Sequence, residues 1–209
     1  MSRAALCSIV LIAPAAMMAG DWQVMGGAGF GVYHYLGFRT AAGSAQAGIG
    51  SRYALSAAVD RQFGSRFAVE GAYLFQDGDF EISSGSQKTA YDANAHAVHG
   101  DLLMYLRRRE PALRPYVAGG AGVKVYRGLE TPGPRPLGEF GSFAQTDDTR
   151  PMVTFGGGVD WAFTSRFGLR LDVRDYATPF PTSVIVPAAG ANLSGWLHGL
   201  VGTLSITFR

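Results

Sequence analysis

From Arg166 to Arg174 the chain alternates without a break. Phe167, Leu169, Leu171 and Val173 fall on one parity, and Arg166, Gly168, Arg170, Asp172 and Arg174 on the other. A period of two puts these sets on opposite faces of a β-strand, whereas a helix would scatter them around its circumference. An apolar face backed by a charged one fits a sheet wetted on one side, or a wall between an apolar exterior and a polar lumen. The same alternation closes the chain. Trp196, Leu200, Leu204, Ile206 and Phe208 share one parity; Gly199, Thr203, Ser205 and Thr207 share the other, with Leu197 and Val201 as exceptions.

Eight such segments are predicted, at about 22–33, 47–63, 67–77, 94–106, 114–127, 151–163, 167–176 and 194–208. Each meets or exceeds the roughly 9–11 residues of a tilted membrane strand. Connections after the second, fourth and sixth segments are short: "GSR" at 64–66, "RRREPAL" at 107–113 and "TSR" at 164–166. The others form longer loops at 34–46, 78–93, 128–150 and 177–193, the third carrying the proline-rich "TPGPRP", which excludes helix and central strand. Short turns on one side and long loops on the other describe an up-and-down barrel. The predicted fold is therefore all-β: an eight-stranded antiparallel transmembrane β-barrel with a narrow polar lumen. Its even strand count puts both termini on the short-turn, periplasmic side.

Composition agrees. Only 16% of residues are charged, against about 25% in soluble domains, and the formal net charge of +2 leaves no electrostatic footprint for nucleic acid. Residues 1–19 read as a signal peptide: Arg3, an apolar stretch from Ala4 to Ala19, interrupted by Pro14 and too short to span a membrane, then "GDW". The barrel domain is expected over 20–209. The single cysteine, Cys7, lies in the leader, so neither a disulfide framework nor a thiolate metal site is expected.

The two faces assign roles. Trp22, Phe63, Phe67, Trp161, Phe163, Phe167 and Phe208 gather at the short-turn end as an aromatic girdle. Tyr53, Tyr73, Phe75 and Trp196 are candidates for the opposite girdle. Arg52, Asp60, Glu70, Asp101, Lys124, Asp160, Arg170, Asp172 and Arg174 are expected to point inward, among glycines such as Gly27, Gly29, Gly120, Gly122, Gly156 and Gly158. A ring of eight strands has room inside only for its own side chains. Opposite charges in so narrow a space should pair, giving a plug of ion pairs and trapped water rather than a pore.

One frame occurs twice: "VDRQFGSRF" at 59–67 and "VDWAFTSRF" at 159–167. If each is a short hairpin in which Phe63 faces Phe67 and Phe163 faces Phe167, then Asp160 faces Arg170 but Asp60 faces Glu70. Two carboxylates so placed require a cation from another strand. Lys124, Arg174 and Arg52 are the expected donors.

The last strand, "LVGTLSITFR", ends with apolar Leu204, Ile206 and Phe208 at alternate positions, followed by Arg209. With the leader, loop alternation and girdle, the chain resembles the small eight-stranded outer-membrane barrels of Gram-negative bacteria, of the OmpA transmembrane-domain and OmpX type. The resemblance implies integral residence in the outer membrane, contact with its lipids and lipopolysaccharide, and recognition of the terminal strand by the barrel-assembly machinery. No peptidoglycan-binding domain is expected after the last strand.

Other motifs carry less. "GGAGFG" at 26–31 imitates a dinucleotide loop but lies within a strand with no following helix. "NLS" at 192–194 matches a glycosylation acceptor, which has no consequence in a bacterial envelope. Of the four histidines, His96 and His99 fall on opposite faces, and His34 and His198 sit at strand ends. His198 and Ser194 share a face but are about 13 Å apart along a strand, too far for proton transfer. The expected role is structural or surface-interactive, with no enzymatic activity and no cofactor or metal, and with loops that meet a surface ligand. A narrow channel and a lipid A-modifying enzyme are the alternatives.

Overall fold

The computed structural model describes residues 22–40, 43–107, 112–129, 137–188 and 195–209. The leader at 1–19 with Cys7, the "TPGPRP" segment and Asn192 to Ser194 lie outside the described residues. Among the described residues there is no helix and there are fourteen strands: β1 (Trp22–Tyr33), β2 (Leu36–Thr40), β3 (Gly43–Ile49), β4 (Arg52–Phe63), β5 (Phe67–Asp77), β6 (Phe80–Ser84), β7 (Gln87–Tyr91), β8 (Ala93–Tyr105), β9 (Leu113–Gly128), β10 (Gly141–Phe143), β11 (Asp147–Ala162), β12 (Phe167–Pro179), β13 (Ile185–Pro187) and β14 (Trp196–Phe208). Eight of them close an antiparallel barrel in the order β1, β4, β5, β8, β9, β11, β12, β14.

Register follows the pleat. Val24, Leu55, Val69, Leu102, Val123, Val153, Leu171 and Leu204 are exposed on the outer wall, while Gln23, Asp60, Glu70, Asp101, Lys124, Thr154, Arg170 and Ser205 are buried inside. An outside richer in apolar side chains than the inside inverts the soluble pattern, as lipid on one side and a narrow lumen on the other require. Several inward glycines are dictated by strand approach. A Cβ on Gly29 would lie 1.9 Å from the Gly202 carbonyl oxygen, and one on Gly156 would lie 2.2 Å from that of Val173.

The two copies of the nine-residue frame close equivalent hairpins. Phe63 pairs with Phe67 and their rings stack at 5.9 Å. The Phe163 amide bonds the Phe167 carbonyl at 3.0 Å. The turns solve the same bend differently. Gly64 adopts φ of +65°, which glycine tolerates without strain. Thr164 instead accepts the Arg166 and Phe167 amides on its hydroxyl, at 3.2 and 2.9 Å.

The long connections differ from the expected loops. Residues 36–49 and 80–91 form a four-stranded sheet, β2-β3-β6-β7, and β10 pairs with β13. The strand expected over 47–63 breaks at Gly50 and Ser51, so 47–49 belong to β3. The Gly50 amide bonds the Asp79 carbonyl at 2.8 Å, and a Cβ there would meet the Glu81 carboxylate at 2.7 Å. Phe38, Phe80, Ile82, Phe140, Phe143 and Ile185 meet with Tyr126 and Leu197 of the barrel in one apolar core. This cap lies over the end of the barrel opposite the short turns.

Candidate functional site: the lumen and its cap

The lumen is filled in layers. Nearest the short turns, Arg209 Nε donates to Gln23 Oε1 at 2.8 Å, Arg114 Nη1 donates to Gln62 Oε1 at 3.2 Å, and the Arg114 guanidinium lies 3.8 Å from the Tyr105 ring centre. Above them Arg170 binds three carboxylates: Nε to Asp160 Oδ1 at 2.6 Å, Nη1 to Glu70 Oε2 at 2.6 Å and Nη2 to Asp60 Oδ2 at 2.7 Å. The facing carboxylates Asp60 and Glu70 are thus bridged by Arg170. Of the donors expected for them, only Arg174 takes part, and only on Glu70. The reason is reach: Arg170 stands opposite Asp160, and its planar fork spans the lumen while still holding that partner.

The next layer belongs to Arg174. Its Nη1 lies 2.8 Å from Glu70 Oε1 and 2.9 Å from Asp101 Oδ2, and its Nε lies 3.0 Å from Asp172 Oδ1. His99 Nδ1 lies 2.5 Å from Asp101 Oδ2; Thr154 donates to Asp101 and Tyr116 to Asp172. Glu70 joins the two arginine layers into one network. Charge-assisted bonds of this kind are about twice as strong as neutral ones.

Lys124 forms the top layer and is fully buried, with no carboxylate of the described residues within 4 Å. Its Nζ donates to Gln76 Oε1 at 2.5 Å and to the Tyr33 hydroxyl at 3.1 Å, with the rings of Tyr33, Tyr126 and Tyr176 at 4.9, 5.3 and 5.9 Å. Ring faces and an amide oxygen replace the missing anion. The cap core begins directly above.

Arg52 is the exception among the residues expected in the lumen. It is exposed at the rim, with its guanidinium 3.1 Å from Asp77 and 2.6 Å from Asp79. Parity fixes a face only within the wall; Arg52 is the first residue of β4, where the segment leading to the cap supplies acceptors. Arg114 and His99 occupy buried lumen positions that sequence reasoning missed. Arg114 shares parity with Lys124 and His99 with Asp101, so alternation could have found both. The lumen tyrosines, Tyr33, Tyr105, Tyr116, Tyr126 and Tyr176, carry the inward parity but are neither charged nor glycine, the two residue types that the sequence assigned to the lumen.

The girdle residues lie outward at the short-turn end: Trp22, Phe63, Phe67, Trp161, Phe163, Phe167 and Phe208 are all exposed. Trp161 contacts Phe163 at 4.5 Å, and Phe167 contacts Phe208 at 5.4 Å. Between the layers one cavity of about 30 Å³ is lined by Met25, Ser56, Ala58, Arg170 and Thr203. That is room for about one or two water molecules. The cap carries a larger groove of about 400 Å³, lined by Phe38, Arg39, Ser44, Gln46, Ser83 and Ser84.

Solved barrels share this architecture. The outer membrane protein OprG of Pseudomonas aeruginosa is 15% identical, with 91% of this chain and 95% of that one covered and a TM-score of 0.62. Neisserial surface protein A is 9% identical over 91% and 97%, with a TM-score of 0.53. The outer membrane protein AlkL, solved in lipid bilayers, is 16% identical over 90% and 89%, also at 0.53. No curated protein sequence matches the chain. The family described as outer membrane protein beta-barrel domain matches residues 4–197. The chain belongs to that family and is an integral protein of the bacterial outer membrane.

Proposed function

We propose that the protein is a closed barrel that anchors a folded cap at the cell surface, and that the cap is its working part. The observation that carries this reading is the filled lumen. Two arginines hold five carboxylates across its width, and the cavity between layers is about 30 Å³. The cap is directed outward and both ends of the barrel domain face the periplasm, as the short turns at the opposite end suggest. Lipids and lipopolysaccharide surround the wall, and the assembly machinery reads Leu204, Ile206 and Phe208 on the last strand. The 400 Å³ cap groove, with Arg39 among serines and Gln46, is the place for a polar surface ligand. Nucleic acid is no partner, and the barrel is no enzyme.

Single-channel recording in planar bilayers tests the closed lumen. Silence is expected; sustained stepwise currents would establish the channel alternative instead. Mass spectrometry of lipid A from cells with and without the protein tests the enzymatic alternative, with unchanged acyl chains expected. Protease accessibility of the cap in intact cells reads orientation.

A further inference from the structure

Asp175 occupies a position that lipid-facing walls avoid. It has the outward parity of Leu171 and Val173, and its neighbours across the sheet are Phe155 on β11 and Leu200 on β14, both exposed and apolar. The other outward carboxylates of the described barrel strands, Asp77 and Asp147, lie at strand ends. An ionisable side chain within the wall is costly and marks a site by default.

Its partner is His198. Nδ1 lies 2.6 Å from Asp175 Oδ2, and the imidazole is half-exposed while the carboxylate is nearly covered. A carboxylate only accepts, so Nδ1 carries the proton, and the ring is fixed with Nε2 directed away from the protein. His34 stands directly across β14 from His198. Tyr33 pairs with Gly199, and the His34 amide bonds the His198 carbonyl at 3.0 Å. Residues directly opposite on antiparallel strands point to the same face, with Cβ atoms about 5 Å apart. His34 and His198 are both exposed. His34, just past the end of β1, and His198 therefore form a short row on the outer face, and Asp175, opposite Leu200 rather than His198, joins it on the diagonal.

The height of the row names its surroundings. His198 is ten residues from the girdle residue Phe208 along β14. At about 3.3 Å per residue and a tilt near 40°, it stands about 25 Å above that girdle, at the far border of the apolar band. Trp196, two residues on, belongs to the interface. With Nδ1–H held by Asp175, Nε2 is the ring nitrogen left to meet a ligand, and in the imidazolium form it carries the second N–H. Acyl chains offer it no acceptor, whereas phosphate oxygens at this height do. His34 adds a second donor, and Asp175 lies on the far side of the His198 ring, set back between Phe155 and Leu200.

We infer that His34 and His198, oriented by Asp175, form a wall site for a phosphate group of lipopolysaccharide in the outer leaflet. The site rests on the orientation proposed above, which cap proteolysis in intact cells reads independently. The test is native mass spectrometry of the full barrel domain in detergent micelles, titrated with lipid A, dephosphorylated lipid A and phosphatidylglycerol. The wild type should retain lipid A best. His198→Ala and His34→Ala should each weaken retention at least tenfold, and dephosphorylated lipid A should bind the wild type as weakly as lipid A binds these variants. Among the described residues His34 pairs with no carboxylate, so His34→Ala remains informative if Asp175 variants misfold; heat-dependent gel migration confirms folding. Equal retention by wild type and both histidine variants would overturn the site, as would indifference to dephosphorylation. Equal retention of phosphatidylglycerol would overturn the assignment to lipopolysaccharide.

Discussion

Arg170 and Lys124 are both buried cations, yet their surroundings predict opposite responses to removal. Arg170 neutralises Asp60, Glu70 and Asp160 at 2.6–2.7 Å. Arg170→Met leaves Asp60 and Asp160 buried without a cation, and should cost about 3–5 kcal/mol. Lys124 has tyrosine rings and one amide oxygen but, among the described residues, no carboxylate in contact; Asp175 acts on it only from a distance. Lys124→Met removes a desolvated charge and leaves an apolar chain among rings, so stability should change by no more than about 1 kcal/mol. Urea unfolding in micelles measures both; equal losses would mean that the two layers do not differ as their partners imply. The facing of Asp60 by Glu70 was readable from the repeated frame, because a hairpin of known turn length sets the register of every pair beyond it. Which cation bridges them was not, because that depends on which side chains meet across the lumen.

At the scale of the strand, alternation carried most of the information. β12 reads from sequence as it folds, with Leu169, Leu171 and Val173 outward and Arg170, Asp172 and Arg174 inward. Leu171 is 55% exposed and lies four residues above the girdle residue Phe167, toward the middle of the apolar band. Leu171→Arg should cost about 2–4 kcal/mol in bilayers, whereas a change to Phe should be nearly neutral. Refolding into vesicles of defined composition reads the difference, and an indifferent arginine would reverse the assigned faces. Strand ends were less readable. β9 and β11 run to 16 residues each, and the strand expected from 47 to 63 splits between wall and cap. Pattern continues across Gly50, but the Asp79 carbonyl and Glu81 carboxylate that turn the chain there arrive from thirty residues away.

For the whole molecule, cap and lumen are separate closures. Replacing residues 79–91 with a short turn should dismantle the cap sheet but leave the arginine layers, so no conductance should appear in planar bilayers. Adding Arg170→Ala and Arg174→Ala to that deletion should open a path. Currents from the cap deletion alone would show that the layers do not close the barrel by themselves. The sequence by itself determined the eight-stranded wall, the outward face of the aromatics at its short-turn end and the faces of most of its charged residues, because a period of two is local and lipid penalises any other arrangement. Only the tertiary structure decided that the long loops form a sheet over an apolar core, that Arg52 belongs to the rim, that Arg170 gathers three carboxylates, and that Asp175 and His198 meet on the outer wall. Each of these depends on side chains brought together from distant strands, whose distances are set by closure of the barrel rather than by spacing along the chain.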